Sequence, residues 1–309
     1  MNQHSSIKTA GSLLERAAEK FDFAAALRGA ATEAPMPAAA LSPPPMAPAA
    51  ADISRARPMF PDAQPAGRQG EVDRHALIER GFLLPDLRPG ALAEEFRIVK
   101  RQLLLRAAGQ GGELIDNGRM ILVCSAKPGE GKTFCSINLA LSMARETDLD
   151  VVLVDCDFSK PEILKTFGLE DGPGLIDALA DGSVDPEACL IHTDIPNLSV
   201  LPGGKQLNDT TELLASQRTK DVLDRLIARH PTRILIVDSS PALSASSASM
   251  LAMHAGQAVM VVKADVTVEA ELREALGLLD GCRHIQMLLN AVTFTPNGKR
   301  FSNYYGYGE

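Results

Sequence analysis

From residue 119 onward, short unbroken runs of Val, Ile and Leu alternate with stretches whose apolar residues recur at helical spacing. The runs lie at 121–124, 151–154, 198–201, 234–237, 258–262 and 287–289. They are short and do not alternate with polar residues, the pattern of strands buried on both faces of a sheet. Between them, helical patterns fall near 134–145, 174–180, 211–229, 245–253 and 268–280. This order predicts an α/β fold, a doubly wound, mostly parallel sheet with helices on both faces. Ligands of such sheets sit beyond the carboxyl ends of the strands.

The first part of the chain has a different texture. Residues 12–28 predict an amphipathic helix: Ser12 and Glu15 have capping-box spacing, and Leu13, Leu14, Ala17, Phe21, Ala24 and Ala25 recur on one side. A helix this short is marginal alone. It ends an N-terminal segment, 1–28, and is followed over 29–72 by an Ala/Pro-rich stretch, predicted to be a disordered linker. Helical patterns return near 73–84, ending at Pro85, and over 91–108. The second carries Leu92, Phe96, Val99, Leu103 and Leu104 on one face and Glu94, Arg97, Lys100 and Arg101 on the other. A main domain over 73–294 and a flexible tail over 295–309 complete the predicted organisation.

Composition narrows the function classes. With 309 residues, 45% of them hydrophobic, the chain can bury a sizeable core. The formal charge of −8 speaks against nucleic acid as a general partner. Five cysteines without a CxxC pair read as reduced core thiols, and the six histidines show no metal-ligand spacing. Residues 34–51 carry no charge, but six prolines rule out a membrane-spanning helix there.

The strongest candidate chemistry follows the first strand run. Residues 126–133 read Ala-Lys-Pro-Gly-Glu-Gly-Lys-Thr, between a strand pattern and a helical one. Gly129 and Gly131 let the backbone curl so that its N–H groups face phosphate oxygens, and the helix N-terminus adds positive potential. In this arrangement Lys127, Pro128, Gly129, Glu130, Gly131, Lys132, Thr133 and Phe134 form a nucleotide phosphate site, with Lys132 reaching the β- and γ-phosphates and the Thr133 hydroxyl ligating Mg²⁺. The usual pattern opens on Gly, where this chain has Ala126.

Two later strands deliver carboxylates to the same edge. One ends in Asp155-Cys156-Asp157, the other in Asp238-Ser239-Ser240-Pro241. A carboxylate at the end of a buried strand is costly unless it binds a cation or accepts hydrogen bonds. Asp238 is the candidate Mg²⁺ holder, directly or through water, and Asp155 and Asp157 can share metal positioning and activation of an attacking hydroxyl. Asn290, after the run at 287–289, is a candidate reader of the adenine edge. All three tyrosines, Tyr304, Tyr305 and Tyr307, lie within six residues of the end of the sequence, as a set of phosphoacceptors would.

In these residues the sequence resembles the bacterial tyrosine kinases of exopolysaccharide loci, a branch of the deviant-Walker P-loop ATPases. Residues 126–133 look like the family's Walker A, Asp155-Cys156-Asp157 like its second acidic motif, and 234–238 like its Walker B. Residues 211–216 resemble a further family segment. Glu94, Arg97 and Lys100 have the spacing of the motif that mediates ring assembly, with Lys in place of the last Arg. Ser159-Lys160-Pro161 and Ser240-Pro241 depart from the usual Arg- and Pro-rich versions, and the tyrosine cluster has three members. The upstream helix, the linker and residues 95–101 are most similar to the autokinases of PEP-CTERM/exosortase loci.

The resemblance implies an ATP- and Mg²⁺-dependent protein-tyrosine autokinase that regulates exopolysaccharide biosynthesis, chain length or export. Lys132, Asp155, Asp157 and Asp238 would be its catalytic residues, Thr133, Asp155 and Asp238 its metal ligands, and Tyr304, Tyr305 and Tyr307 its acceptors in trans. Lys127 occupies the position of a lysine that in partition-type relatives crosses to a partner subunit. Implied partners are further copies in a ring-like homo-oligomer, a separate transmembrane polysaccharide co-polymerase as activator and a cognate tyrosine phosphatase. The implied location is the cytoplasm, at the inner membrane through that partner. The rival readings are a nucleotide-switched dimerising ATPase of the partition or division-site type, without kinase activity, and a scaffold with structural ATP.

Overall fold

The strands form where the apolar runs are, and all but the last run are buried on both faces. At 287–289, on the edge of the sheet, Met287 and Leu289 are 66% and 60% exposed, contrary to the sequence expectation. In the computed structural model, which describes residues 67–87, 90–109 and 115–292, the elements run in chain order as follows. First come β1 (Arg68–Gly70), α1 (Arg74–Glu79), α2 (Ala91–Ala107), β2 (Met120–Ser125), α3 (Lys132–Ala144) and β3 (Asp150–Cys156). Then come α4 (Ile163–Phe167), α5 (Leu175–Ala180), a 3₁₀ turn (Pro186–Cys189), β4 (Ile191–Thr193), β5 (Leu198–Leu201), α6 (Thr210–Leu214) and α7 (Gln217–Arg229). Last come β6 (Arg233–Ser239), α8 (Ser247–Ala252), β7 (Gln257–Lys263), α9 (Glu269–Gly277) and β8 (Ile285–Asn290). The predicted helix over 12–28, most of the linker and the whole tail lie outside the described residues.

The described strands form one sheet in the order β1-β4-β5-β3-β6-β2-β7-β8. Neighbours are parallel except β4 and β5, which are antiparallel. β2 shows why the runs do not alternate: Met120, Leu122 and Cys124 join the core on one face, Ile121 and Val123 the core on the other. Side chains of a strand point to opposite faces in turn, so a strand covered on both sides must be apolar throughout. Leu77, Phe96, Leu103, Ile137 and Leu141 of α1, α2 and α3 cover one face. Leu175, Leu214, Leu223, Leu226 and Leu251 of α5 to α8 cover the other.

Three further details differ from the sequence expectation. Order begins earlier than Asp73, because Arg68–Gly70 pairs with Ile191–Thr193 inside the stretch expected to be linker. The 211–229 pattern is two helices, not one. The hydroxyls of Ser216 and Thr219 each donate to Leu213 O at 2.6 Å, and the backbone at Ser216 is extended. Local hydroxyl bonds of this kind compete with the helical ladder. α1 stops at Glu79, where Gly81 turns left-handed and Phe82 N donates to Leu77 O at 2.9 Å.

Candidate active site

The chain leaves β2 for β3 on one side of the sheet and returns through β6 to β7 on the other. The end of β2 therefore stands at a switch point, flanked by β6 and β7. There Gly129 (φ +80°) and Gly131 (φ +94°) curl the backbone, and Gly131 caps α3. Lys127, Pro128 and Gly129 are exposed, while Lys132 is 7% exposed. Register brings the acids together: Asp155 pairs with Asp238 across β3 and β6.

Lys132 Nζ lies 2.5 Å from Asp157 Oδ2, 3.6 Å from Asp238 Oδ2 and 3.2 Å from Thr133 Oγ1. Thr133 Oγ1 donates to Asp238 Oδ2 at 2.7 Å, and Ser136 Oγ lies 3.0 Å from Asp238 Oδ1. Asp157 Oδ1 accepts from Ser159 Oγ at 2.6 Å and Ser240 Oγ at 2.9 Å. Asp155 has only backbone donors, Asp157 N at 3.3 Å and Ile163 N at 3.2 Å.

These surroundings drive the three carboxyls apart. Burial pushes Asp155 up to about 7, aided by the charge of Asp238 and opposed by its backbone donors. Burial pushes Asp238 up to about 6 against the pull of Lys132 and of the Thr133 and Ser136 hydroxyls. Burial acts the same way on Asp157, but its bonds with Lys132, Ser159 and Ser240 outweigh it and hold the carboxyl below the usual range. Two carboxyls two residues apart thus have opposite tendencies, the usual mark of divided acid–base roles.

The donor set fits a magnesium nucleotide. One hydroxyl and one carboxylate, Thr133 and Asp238, converge, and among the described residues no group of three His, Cys, Asp or Glu can hold a metal unaided. Mg²⁺ accepts such a sparse protein site when phosphates and waters complete its shell. The cleft beside the loop is lined by Gly129, Gly131, Lys132, Thr133, Asp157 and Pro241.

The geometry gives several of the predicted residues partners that the sequence did not show. Of Glu94, Arg97 and Lys100 only Arg97 is well exposed: Lys100 is 7% exposed and bonds Ser142 O at 3.2 Å and Glu146 at 2.5 Å, and the Glu94 side chain is half-buried. Glu94 and Arg97 pair with each other, and together with Lys100 they line one pocket. Lys127 is held by Glu271 of its own chain at 2.7 Å, a pair it must break to reach a neighbour. Its backbone N–H is taken by Glu130 Oε2 at 2.8 Å, leaving the loop's later N–H groups for phosphate. Asn290 Nδ2 donates to Glu130 O at 2.9 Å, which commits one of the amide's two N–H groups to the loop. Phe134 packs on Phe82 with ring centroids 5.2 Å apart. Tyr304, Tyr305 and Tyr307 lie outside the described residues.

Sequence reasoning missed Ser136, one helical turn beyond Lys132, which the i, i+4 spacing makes findable. Ser159 and Ser240 stood out only as motif departures, and their shared partner Asp157 was not apparent. Thr267, whose hydroxyl donates to Glu130 Oε1 at 2.5 Å, carried no sequence signal. The five cysteines are free and buried, as expected. Among the described residues no helix is long and apolar enough to cross a membrane.

Comparison with known proteins places this geometry. The profile described as an AAA domain matches residues 118–286, more than half of the chain. Tyrosine-protein kinase YwqD of Bacillus subtilis is 30% identical over 62% of this chain and 76% of its own length. A putative tyrosine-protein kinase, EpsB of Ralstonia nicotianae, is 30% identical over 66% of this chain; the match spans only 26% of EpsB. The crystal structure of the VpsO kinase domain superposes with a TM-score of 0.52 at 29% identity, over 64% of this chain and 98% of that one.

Proposed function

Because the chain belongs to the bacterial tyrosine-kinase family of P-loop ATPases, we propose that it is an ATP-dependent protein-tyrosine autokinase that phosphorylates Tyr304, Tyr305 and Tyr307 of neighbouring copies. The observation that carries this reading is the convergence of Lys132, Thr133, Asp155, Asp157 and Asp238 at the mouth of the glycine loop. Loop N–H groups and Lys132 bind the phosphates. Thr133 and Asp238 would hold Mg²⁺, which would supply charge neutralisation to the phosphates. Asp157 stays ionised and steadies Lys132. Asp155, its carboxyl tuned to about 7, accepts the proton of the tyrosine hydroxyl. The phenolic oxygen then bonds to the γ-phosphorus as the bond to the bridging oxygen breaks, leaving ADP and phosphotyrosine.

The proposal extends to regulation of exopolysaccharide assembly or export. The kinase would work in the cytoplasm at the inner membrane, held there by a separate transmembrane co-polymerase. Its subunits would form a ring-like oligomer, and a tyrosine phosphatase would reset them. The test mixes a Lys132→Met chain that keeps its tyrosines with an active chain whose Tyr304, Tyr305 and Tyr307 are changed to Phe. With γ-labelled ATP, label is expected on the Lys132→Met chain only. Phosphate release with no protein label would instead support the nucleotide-switched ATPase.

A further inference from the structure

We infer that Thr267 and Asn290, both far from the glycine motif in sequence, are positioning residues that hold the phosphate loop in its binding shape. This rests on the nucleotide reading of the site. The freedom that lets Gly129 and Gly131 adopt φ of +80° and +94° also lets the loop adopt other shapes, so something else must fix it. Glu130, between them, is 3% exposed. Its Oε2 accepts from Lys127 N at 2.8 Å and closes the loop on itself. Its Oε1 accepts from Thr267 Oγ1 at 2.5 Å, and Thr267 Oγ1 in turn accepts from Lys263 N at 2.9 Å.

The second anchor acts on the backbone. Asn290 Nδ2 donates to Glu130 O at 2.9 Å. Across a planar trans peptide the carbonyl and the next N–H point in opposite directions. Fixing the Glu130 carbonyl on Asn290 therefore turns the Gly131 N–H to the side away from Asn290. Both anchors stand on one firm support, since Lys263 and Asn290 are register partners at the ends of β7 and β8. The clasp also deals with a charge problem. A carboxylate beside a phosphate site repels the ligand, and the bonds to Lys127 N and Thr267 keep that of Glu130 engaged elsewhere.

The test uses the full chain and measures binding of a fluorescent Mg-ADP analogue. Thr267→Val keeps the shape and removes the donor, and it should weaken binding about tenfold, the scale of a hydrogen bond to a charged group. Thr267→Ser restores the hydroxyl and should stay within about twofold of the unmodified chain. In phosphorylation assays the Val variant should suffer more in KM for ATP than in kcat. Asn290→Ala should weaken competing Mg-pyrophosphate as much as Mg-ADP; a loss confined to ADP would mean that Asn290 reads adenine and would overturn its role in the clasp. Unchanged binding by Thr267→Val, or a Ser variant as weak as Val, would overturn the role of Thr267. Failure of the unmodified chain to bind Mg-ADP would instead overturn the nucleotide reading itself.

Discussion

Replacing Asp238 with Asn should stabilise the nucleotide-free protein while destroying its chemistry. Asp238 is 1% exposed, beside Asp155 in register, and burial lifts its carboxyl from 3.8 to about 6. The sign follows directly. A carboxyl that binds its proton more tightly folded than unfolded favours the folded state at low pH, and that advantage is lost as pH rises through about 6. About two pKa units at ~1.4 kcal/mol each set a ceiling of about 3 kcal/mol for the cost of the ionised form at pH 8. Imperfect hydrogen bonds from the amide that replaces the neutral carboxyl reduce the expected gain to about 1–2 kcal/mol. Lys132 keeps Asp157 as counter-ion, and the hydroxyls of Thr133 and Ser136 can rotate to accept from the new amide. In thermal unfolding at pH 8 without nucleotide, the Asp238→Asn midpoint should rise by roughly 3–6 °C. At pH 3, below the unfolded value of 3.8, Asp238 is protonated in both states and the two proteins should melt together. Mg-ADP should raise the midpoint of the unmodified chain and leave the variant nearly unmoved. A lower midpoint at pH 8, or the same gain at both pH values, would refute the reasoning.

The remaining expectations test packing, assembly and the loop. Arg233, 2% exposed, bonds Asp150 at 2.6 Å and also holds Glu187, so Arg233→Ala should cost about 3–5 kcal/mol in urea unfolding; a loss under about 1 kcal/mol would contradict it. Lys100→Ala should lower stability by about 1–2 kcal/mol and leave sedimentation unchanged, because its ammonium bonds α3 and Glu146. Glu94→Ala with Arg97→Ala should do the reverse, weakening assembly with stability nearly unchanged. Gly131→Ala should weaken Mg-ADP binding more than Asn290→Ala does, because its new methyl would lie 2.1 Å from Asn290 Nδ2 and displace it, and the φ of +94° adds strain. Gly129→Ala meets nothing within 4 Å and should cost only the strain of its positive φ, about 1 kcal/mol, visible as a smaller loss in a binding titration.

The sheet was legible because burial on both faces writes itself into consecutive residues. Val151 to Val154 must all be apolar, whichever face each serves, and such a run can be read without knowing its neighbours. β1 and β4 are different. Each is three residues long, and both are at the margin of the sheet, where pairing depends on one another rather than on an apolar run. The break between α6 and α7 turns on two hydroxyls that compete for a single carbonyl, while the apolar spacing continues across it.

The site divides along the same line. Lys132, Thr133, Asp155, Asp157 and Asp238 could be named because each sits where a strand ends or a helix begins, and such positions are set locally. Their ionisation is set by partners far along the chain. Ser240 reaches Asp157 across 83 residues, Thr267 reaches Glu130 across 137 and Asn290 reaches it across 160. Asp155 and Asp157 are two residues apart on one strand end and are interchangeable as sequence, yet one is pushed up to about 7 and the other held low. The difference is two serine hydroxyls and a lysine on Asp157 against backbone donors on Asp155. Which carboxyl carries a proton at neutral pH is therefore a property of the fold. For the same reason Ser240, where the resembled pattern has proline, matters to this carboxyl: its hydroxyl is one of the donors that hold Asp157 below the usual range beside Lys132.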